Sequence, residues 1–456
     1  MANDLTLYNS LSRRKEIFKP IQEEDIRLYV CGPTVYDRAH IGNARPVIVF
    51  DLLYRLLRNI YGKENVNYVR NFTDVDDKIN DKARERKVNI NEITEETIKW
   101  FHEDMDQLEA LRPTSEPRAT HYIPQMITMI GELISKSYAY STDDGHVFFS
   151  VEKFDDYGRL SNKDLDELVT GSRIENEGSK KNPLDFVLWK PSNSEEPGWD
   201  SPWGVGRPGW HIECSAMSRD LLGENFDIHG GGIDLIFPHH ENEIAQSVCA
   251  SKGKNFANFW LHNGYLMLEG EKMSKSLNNF ITVKELIEND FSGQSIRYVM
   301  LSTHYRQPIN WTYKRLREAE KILEKWSSLK TLENRSNDIP QPVFRALLDD
   351  LNSPLAISEI HKMFNSGDLI DANESCTFFG FNLNETKKKN SVGPQIAEKI
   401  THLIEKRKEA RIKKDFATAD KIRESLLLAG VEINDNEDKT SWEIKDNFIK
   451  EKLENL

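Results

Sequence analysis

The sequence predicts an α/β protein that begins with a nucleotide-binding domain of the Rossmann type. Residues 26–31, IRLYVC, form a short apolar run that predicts a buried strand, and the GPT that follows marks an abrupt turn. Residues 43–61 then place apolar side chains at helical spacing and end before Gly62. Residues 66–70, VNYVR, predict a second strand. A strand, a helix and a strand in this order form a βαβ unit, and such folds bind ligands at the carboxyl ends of their strands.

The chain changes character further along. Residues 171–208 are rich in Gly, Pro, Ser, Asn and Glu, which is typical of an insertion between two halves of a nucleotide-binding fold. From residue 312 onward helices are predicted, because apolar side chains recur on one helical face: Leu316, Ala319, Leu323 and Trp326.

A small separate domain is predicted at the end of the chain. Residues 385–394, ETKKKNSVGP, indicate a linker, and a helix follows that runs into the basic KRKEARIKK of residues 406–414. VEIND and TSWEI then predict two strands around a turn. A solvated helix face is the ordinary explanation of the basic run, and a phosphate-binding patch is the alternative.

Composition narrows the class of protein. The 456-residue chain is 38% hydrophobic and 30% charged, as expected of a globular protein with two to four folding units. The N-terminal MANDLTLYNS lacks the features of a signal peptide and no apolar run could span a membrane, so we expect a cytoplasmic protein. The net charge of −13 argues against indiscriminate binding to nucleic acid. No coiled-coil heptad stands out, which favours a monomer.

The first chemical motif, HIGN at residues 40–43, opens the predicted helix. Unpaired backbone N–H groups and the helix dipole favour a phosphate at such a place, and His40 could add a hydrogen bond. A helix start with a capping polar residue is the alternative explanation.

Two further motifs suit a nucleotide. HGGG at residues 229–232 contains glycines that lack the Cβ which would keep a ligand from the backbone, and a plain tight turn is the alternative. KMSKS at residues 272–276 offers Lys272 and Lys275 to a triphosphate, with a solvated loop as the alternative.

A set of metal ligands is the sharpest feature. The chain has four cysteines, too few and too scattered for a disulfide framework. Cys31 ends the first predicted strand, Cys214 lies in GWHIECSAM, and FPHHENEIAQS contains His239 and Glu243. Thiolate, imidazole and carboxylate together suit zinc, although each cysteine alone could be a small buried hydrophobe.

The spacing within FPHHENEIAQS favours one histidine. If Pro238 occupies the first turn of a helix, His239 and Glu243 project from the same face, which favours His239 over His240. A metalloprotease HExxH is excluded, because Ile244 stands where its second histidine would be required.

These motifs together carry a resemblance to a known family. HIGN followed by KMSKS resembles the paired signature of class I aminoacyl-tRNA synthetases, although Asn43 stands where that signature has histidine and cannot become cationic. CGPTVYD, NFTDVDDKI, RPGWHIECSAM and DIHGGGIDLIFPHHENE resemble the cysteinyl-tRNA synthetases within that class. The resemblance is dense over residues 5–310 and weak beyond them, and Cys249 and Cys376 match no motif.

The resemblance implies a reaction and its site. The enzyme would activate L-cysteine with ATP and Mg²⁺ and transfer it to the 3′ end of tRNA(Cys). Thr73 and Trp210 would lie beside the amino acid, which would be selected against serine through its thiolate on one catalytic-site Zn²⁺. The implied zinc ligands are Cys31, Cys214, His239 and Glu243. The catalytic residues would be His40, Asn43, Lys272 and Lys275. The residues that bind ATP would be His40, Gly42, Asn43, His229, Gly230, Gly231 and Lys275.

The resemblance also implies the domain organisation. It predicts a catalytic domain at residues 1–310 with an inserted segment at about 112–205, a helical bundle at 311–390 and an anticodon-binding domain at 391–456. Two alternatives stay open: a ligase that acylates an amino sugar with the same cysteine adenylate, and a catalytically silent tRNA-binding paralogue. The residues after Asn390 argue against the first, and the intact HIGN and KMSKS motifs argue against the second.

Overall fold

The computed structural model describes residues 4–163, 180–251, 255–272, 280–329, 339–383, 394–435, 440–444 and 452–453. Its strands are Thr6–Asn9 (β1), Arg14–Ile17 (β2), Ile26–Val30 (β3), Val66–Arg70 (β4), Ala139–Ser141 (β5), Val147–Phe149 (β6), Phe186–Pro191 (β7), Gly206–Pro208 (β8), Phe226–Gly232 (β9), Ala257–Asn263 (β10), Leu266–Leu268 (β11), Glu271–Lys272 (β12), Ile309–Trp311 (β13), Val431–Asp435 (β14) and Thr440–Ile444 (β15). Its α-helices are Ile41–Tyr61 (α1), Asp77–Arg86 (α2), Ile90–Gln107 (α3), Ile123–Ser135 (α4), Trp210–Leu222 (α5), Glu241–Ala250 (α6), Val283–Glu288 (α7), Gly293–Leu301 (α8), Tyr313–Leu329 (α9), Gln341–Leu348 (α10), Ser353–Ser366 (α11), Leu369–Phe378 (α12), Pro394–Ile412 (α13) and Phe416–Leu428 (α14). Among these described helices, none combines the length and the apolar character that a membrane span requires.

A four-stranded parallel sheet organises the first part of the chain, with the strand order β10, β9, β3, β4. The predicted βαβ unit is confirmed, since α1 connects β3 to the parallel neighbour β4. Helix α1 begins at Ile41, two residues before the predicted start, because His40 caps it: the His40 N–H donates to the side-chain oxygen of Asn43.

Both faces of this sheet are buried. Leu28 and Tyr68 point into a hydrophobic core shared with α1, whereas their neighbours Tyr29 and Val69 point into a second core on the other face. Alternation of this kind follows from the two-residue period of a strand. Because both faces are covered, the strands are nearly continuous apolar runs, and this is why residues 26–31 could be recognised from the sequence.

Between β4 and β9 the chain forms a second sheet. Its four antiparallel strands are in the order β5, β6, β7, β8, and α4 packs in the same hydrophobic core. The Gly-rich and Pro-rich residues 171–208 therefore include strands as well as connections, while residues 164–179 lie outside the described residues.

The helical part that follows is joined to the sheet through one continuous core. Leu316, Ala319, Leu323 and Trp326 are all buried on α9, which confirms the predicted face. A buried ion pair adds to this connection, since Arg297 of α8 donates to the carboxylate of Asp51 in α1. Arg297 also donates to the carbonyl oxygens of Phe379 and Leu108.

The last part of the chain has a core of its own. Ile400, Leu403 and Leu426 pack with the antiparallel hairpin of β14 and β15, so the two predicted strands are confirmed. The predicted linker at 385–394 lies almost wholly outside the described residues, apart from Pro394, which begins α13.

The basic run on α13 offers fewer free cations than its sequence indicates. Arg407 donates to both carboxylate oxygens of Asp435, at 2.9 and 2.7 Å, and Arg411 donates to the same carboxylate at 3.3 Å. These two of the six basic side chains therefore hold the helix to β14.

Candidate active site and metal centre

The predicted metal ligands come from three places at one edge of the parallel sheet. Cys31 directly follows β3, and Cys214 projects from α5. Glu243 lies in the first turn of α6, with His239 just before that helix. One ligand atom from each residue lies within 4.8 Å of every other, and Cys214, His239 and Glu243 are at most 1% exposed.

The distances among these four side chains fit a tetrahedral metal. The Sγ atoms of Cys31 and Cys214 are 3.6 Å apart, and Cys31 Sγ is 3.3 Å from Glu243 Oε1. His239 Nε2 lies 3.0 Å from the same oxygen. Zinc bound tetrahedrally at about 2.0–2.3 Å separates its ligand atoms by about 3.3–3.8 Å, so a small relaxation would admit the ion.

The local backbone differs from the prediction in one detail. Pro238 does not occupy the first turn of a regular helix, because it follows a cis peptide bond in an irregular turn and α6 begins at Glu241. His239 and Glu243 nevertheless meet.

Two of the four groups in this cluster, Glu243 and Cys214, favour the ionised forms. Burial acts to raise the pKa of Glu243, but the nearby His229 and His239 hold it well below its ordinary value. Burial also opposes ionisation of Cys214, yet hydrogen bonds from Cys31 and His239 lower its pKa to about 6. Carboxylate and thiolate are the forms that bind a cation. The other two groups hold protons that a bound cation would displace, because burial raises the pKa of the Cys31 thiol and, against the effect of burial, the nearby Glu243 raises the pKa of His239 to about 10.

His229, the first residue of HGGG, belongs to this cluster as well. Its Nε2 lies 2.9 Å from Glu243 Oε2, and its ring stacks on Trp260 at 4.5 Å. The side chain is fully buried, so any nucleotide contact of His229 must be through its backbone. His229 and His240 also form an alternative ligand set with Cys31 and Glu243. The set with His239 contains both Cys31 and Cys214, and it is the set that we expected from the sequence.

Thr73 and Trp210, predicted beside the amino acid, lie next to the metal ligands. Trp210 is 41% exposed and stacks on the ring of His239, with the ring centres 4.1 Å apart. Thr73 is buried, and its hydroxyl donates to Glu213 Oε2 at 2.8 Å. One side of this group is therefore open to solvent at Trp210, while the threonine hydroxyl is held in one direction.

The HIGN motif forms the N-terminal turn of α1. The ring of His40 stacks on Phe280, with centroids 5.0 Å apart, and the Ile41 N–H donates to the carbonyl of Ile281. The side-chain oxygen of Asn43 accepts the N–H of His40 and so caps the helix. Gly42 lies between Ile41 and Asn43 in the first turn. Lys272 ends β12, whereas Lys275 and the rest of KMSKS lie outside the described residues.

The HGGG motif lies inside β9, so the tight turn considered from the sequence is wrong. A Cβ on Gly230 would lie 2.3 Å from the ring of Phe50, and one on Gly231 would lie 2.8 Å from the ring of His240. Protein side chains therefore already occupy the room beside these two glycines. It stays a prediction that a nucleotide approaches the backbone of these glycines from a different direction.

Sequence reasoning missed several residues of the site. Glu213 was not singled out although it directly precedes Cys214, and His211 contacts His239 through their Nδ1 atoms at 2.9 Å. Asn71 accepts the N–H of Gly32 at 2.8 Å and so joins the ends of β3 and β4. Their partners lie 28 to 140 residues away along the chain, and no local pattern marks such pairs.

The fold and the site define an aminoacyl-tRNA synthetase of class I. More narrowly, the chain belongs to the family of class I (C) tRNA synthetases, since the model of that family's catalytic domain matches residues 17–321. A protein named cysteine–tRNA ligase from Ruegeria pomeroyi is 52% identical over 445 residues, covering 94% of each chain. A protein of the same name from Roseobacter denitrificans is 52% identical over 474 residues, covering 99% of each.

Solved structures show the same fold at low identity. A methionyl-tRNA synthetase from Mycobacterium tuberculosis in complex with methionyl-adenylate has a TM-score of 0.55 and 14% identity, and the match covers 83% of this chain and 94% of that one. A second structure of that enzyme bound by methionyl-adenylate has a TM-score of 0.52 with 79% and 83% coverage.

Proposed function

We propose that this chain is a cysteine–tRNA ligase, which activates L-cysteine with ATP and esterifies it to the 3′ end of tRNA(Cys). The observation that carries this function is the match of about half of all residues, over nearly the whole chain, to proteins of that name. The amino-sugar ligase and the silent paralogue are not favoured, because the similarity extends to 99% of a cysteine–tRNA ligase.

We further propose that the metal is one Zn²⁺ per chain, held by Cys31, Cys214, His239 and Glu243. The mutual distances of the four side chains and the ionised forms of Cys214 and Glu243 support it. A zinc ion there would lower the pKa of the substrate thiol and bind its thiolate, for which a serine hydroxyl is a poor substitute. Trp210 would cover the amino acid, and Thr73 would orient it with the hydroxyl that Glu213 fixes.

The nucleotide site is proposed at the N-terminus of α1. His40, Gly42 and Asn43 would bind the phosphates, aided by the positive end of the helix dipole. Lys272 and Lys275 would neutralise the charge that develops as pyrophosphate leaves, with Mg²⁺ accompanying ATP. The reaction is an in-line attack of the cysteine carboxylate on the α-phosphate, so no covalent enzyme nucleophile is needed. The backbone of residues 229–231 would contact the nucleoside.

The remaining assignments also stay proposals. Residues 1–310 would form the catalytic domain with its insertion at about 112–205, residues 311–390 the helical bundle and residues 391–456 the anticodon-binding domain. The separate core of the last part supports the third of these. A monomer and a cytoplasmic location remain predictions, and analytical ultracentrifugation tests the first.

One pair of measurements tests the function and the metal together. Exchange between ATP and pyrophosphate should proceed with cysteine and be at least about 10³-fold less efficient with serine. This discrimination is larger than the shape of the pocket alone can supply. Elemental analysis should find one zinc per chain, and Cys214→Ser should lose it. Cys249→Ser is the matched control, because Cys249 is also a buried thiol but lies outside the cluster. Equal exchange with both amino acids, or full zinc content in the Cys214 variant, would contradict the proposal.

A further inference from the structure

A buried arginine in α1 binds no substrate in the function proposed above, yet it contacts several parts of the active-site edge. Arg45 is 1% exposed, and within the described residues it has no acidic partner. Its Nη1 donates to the carbonyl oxygens of Gly264 and Tyr265 at 2.5 and 2.6 Å. Its Nη2 donates to those of Tyr305, at 3.1 Å, and Gln307. Burial lowers the pKa of Arg45 only to about 10, so the guanidinium stays charged at neutral pH.

The four carbonyl groups belong to two chain segments that meet at Arg45. Residues 264–265 directly follow β10, and residues 305–307 lie between α8 and β13. The segments also bind each other, because the Gly264 N–H donates to the Tyr305 carbonyl at 2.8 Å. They approach so closely that a Cβ on Gly264 would lie 2.7 Å from the carbonyl oxygen of Gln307. A planar guanidinium can bind four such carbonyls at once, whereas an ammonium group has only three donors.

This junction lies between the two proposed parts of the nucleotide site. On one side, Arg45 is the fifth residue of α1, whose N-terminal turn carries His40. On the other side, β11 begins at Leu266, directly after Tyr265, and pairs with β12, which ends at Lys272. A single side chain thus joins the helix of HIGN to the hairpin that carries the backbone of Lys272.

A purely structural role would be the ordinary explanation of a buried arginine. Arg55 is an example of such a structural arginine. It lies on the same helix, about 15 Å away at 1.5 Å per residue, and donates to Asp51 and to the Glu109 carbonyl. Arg45 differs because its partners are the chain segments that lead into the site. It also has no carboxylate to neutralise it, so its charge adds to the positive potential of the N-terminus of α1.

We propose that Arg45 is a positioning residue for adenylate formation, which sets the hairpin of Lys272 at its working distance from His40. The inference rests on the proposed function, because it takes Lys272 and His40 to act on the phosphates of ATP. Misplacement of a catalytic group by about 1 Å can lower a rate about 10²-fold, so loss of the junction should act mainly on the chemical step.

The test compares Arg45→Met with Arg55→Met at a temperature at which both variants are folded. Single-turnover formation of cysteinyl-adenylate should be slowed about 10²-fold by Arg45→Met and less than about threefold by Arg55→Met. The KM for cysteine and the zinc content should stay at the values of the unmodified protein, because the metal centre does not contact Arg45. Arg45→Lys should not restore the rate, since lysine keeps the charge but cannot donate to all four carbonyl groups at once.

Gly264→Ala provides a second approach if Arg45→Met does not fold. It disturbs the same junction from the opposite side and should slow the same step, while its KM for cysteine stays unchanged. An equal rate loss in the Arg45 and Arg55 variants, a full rate with only lowered stability, or full rescue by lysine would each overturn the inference. Absence of cysteine-dependent exchange in the unmodified protein would instead overturn the proposed function, so the two failures are distinguishable.

Discussion

Replacement of Gly230 by alanine separates two explanations of the HGGG motif. The glycine could be required because a nucleotide approaches its backbone, or because Phe50 of α1 packs on it. In the structure an added Cβ would lie 2.3 Å from both Cε1 and Cζ of Phe50. Carbon atoms in contact are normally about 3.5–4.0 Å apart, so the ring or the strand would have to move by more than about 1 Å.

The surrounding side chains leave little room for this movement. Phe50 is fully buried between α1 and the sheet, and close-packed interiors absorb additional atoms poorly. Overpacking of this kind costs about 1–3 kcal/mol of the free energy of unfolding. Gly131→Ala is the control, because Gly131 lies inside α4 with no atom within 4 Å of an added Cβ. That substitution should stabilise the protein by about 0.5–1 kcal/mol through helix propensity.

The assay is urea denaturation of Gly230→Ala, Phe50→Leu and the double variant. The smaller leucine should relieve the overlap, so the double variant should be more stable than the sum of the single effects by about 1 kcal/mol or more. Additive effects, or an unchanged stability together with a raised KM for ATP, would refute the packing argument and favour the ligand explanation.

Three further predictions follow from the buried charges and the domain assignment. Asp51→Asn leaves Arg297 without its carboxylate and should lower the free energy of unfolding by about 3–5 kcal/mol at neutral pH. Burial opposes ionisation of Asp51, but Arg297 and Arg55 hold its pKa below the ordinary value, so this stability is present above about pH 4 and is lost as the pH falls through the folded-state pKa. The unfolding midpoints of the parent and the variant should therefore converge in acid. His229→Leu should weaken zinc retention about 10–100-fold against a chelator, because Glu243 loses the hydrogen bond that orients it, while the KM for ATP should change little. Deletion of residues 391–456 should spare cysteine-dependent exchange and severely lower charging of tRNA(Cys), and equal charging by the shortened protein would contradict the anticodon-binding assignment.

Local periodicity was enough to predict much of the fold. The strand at 26–30, the helix that follows it and the buried face of α9 all depend on side chains a few residues apart, and the structure confirms them. The hairpin at 431–444 was also indicated locally, because two short β-prone runs flank a turn. In these places sequence spacing and spatial spacing are nearly the same.

Contacts between distant residues could not be predicted in that way. Cys31 and Cys214 are 183 residues apart, and the resemblance to a family, not their spacing, connected them. The basic run on α13 left a solvated helix face and a phosphate-binding patch open, and neither explanation included Asp435, which pairs with Arg407 and Arg411 from a strand that begins 24 residues after Arg407. Charge partners of this kind are set by the fold.

HGGG forms part of a strand instead of the tight turn that was its alternative explanation, for a physical reason that links the two halves of the site. In a parallel sheet with both faces covered, a residue near the end of a central strand can face the metal, the helix layer or the ligand edge. His229 faces Glu243, and Gly230, the next residue, makes room for Phe50, because successive residues of a strand point to opposite sides. One strand therefore orients a metal ligand with His229 and makes room for the helix of HIGN with Gly230, the residue that follows. The motif is short because both requirements are met within two residues, and this is why its letters alone were also compatible with a plain tight turn.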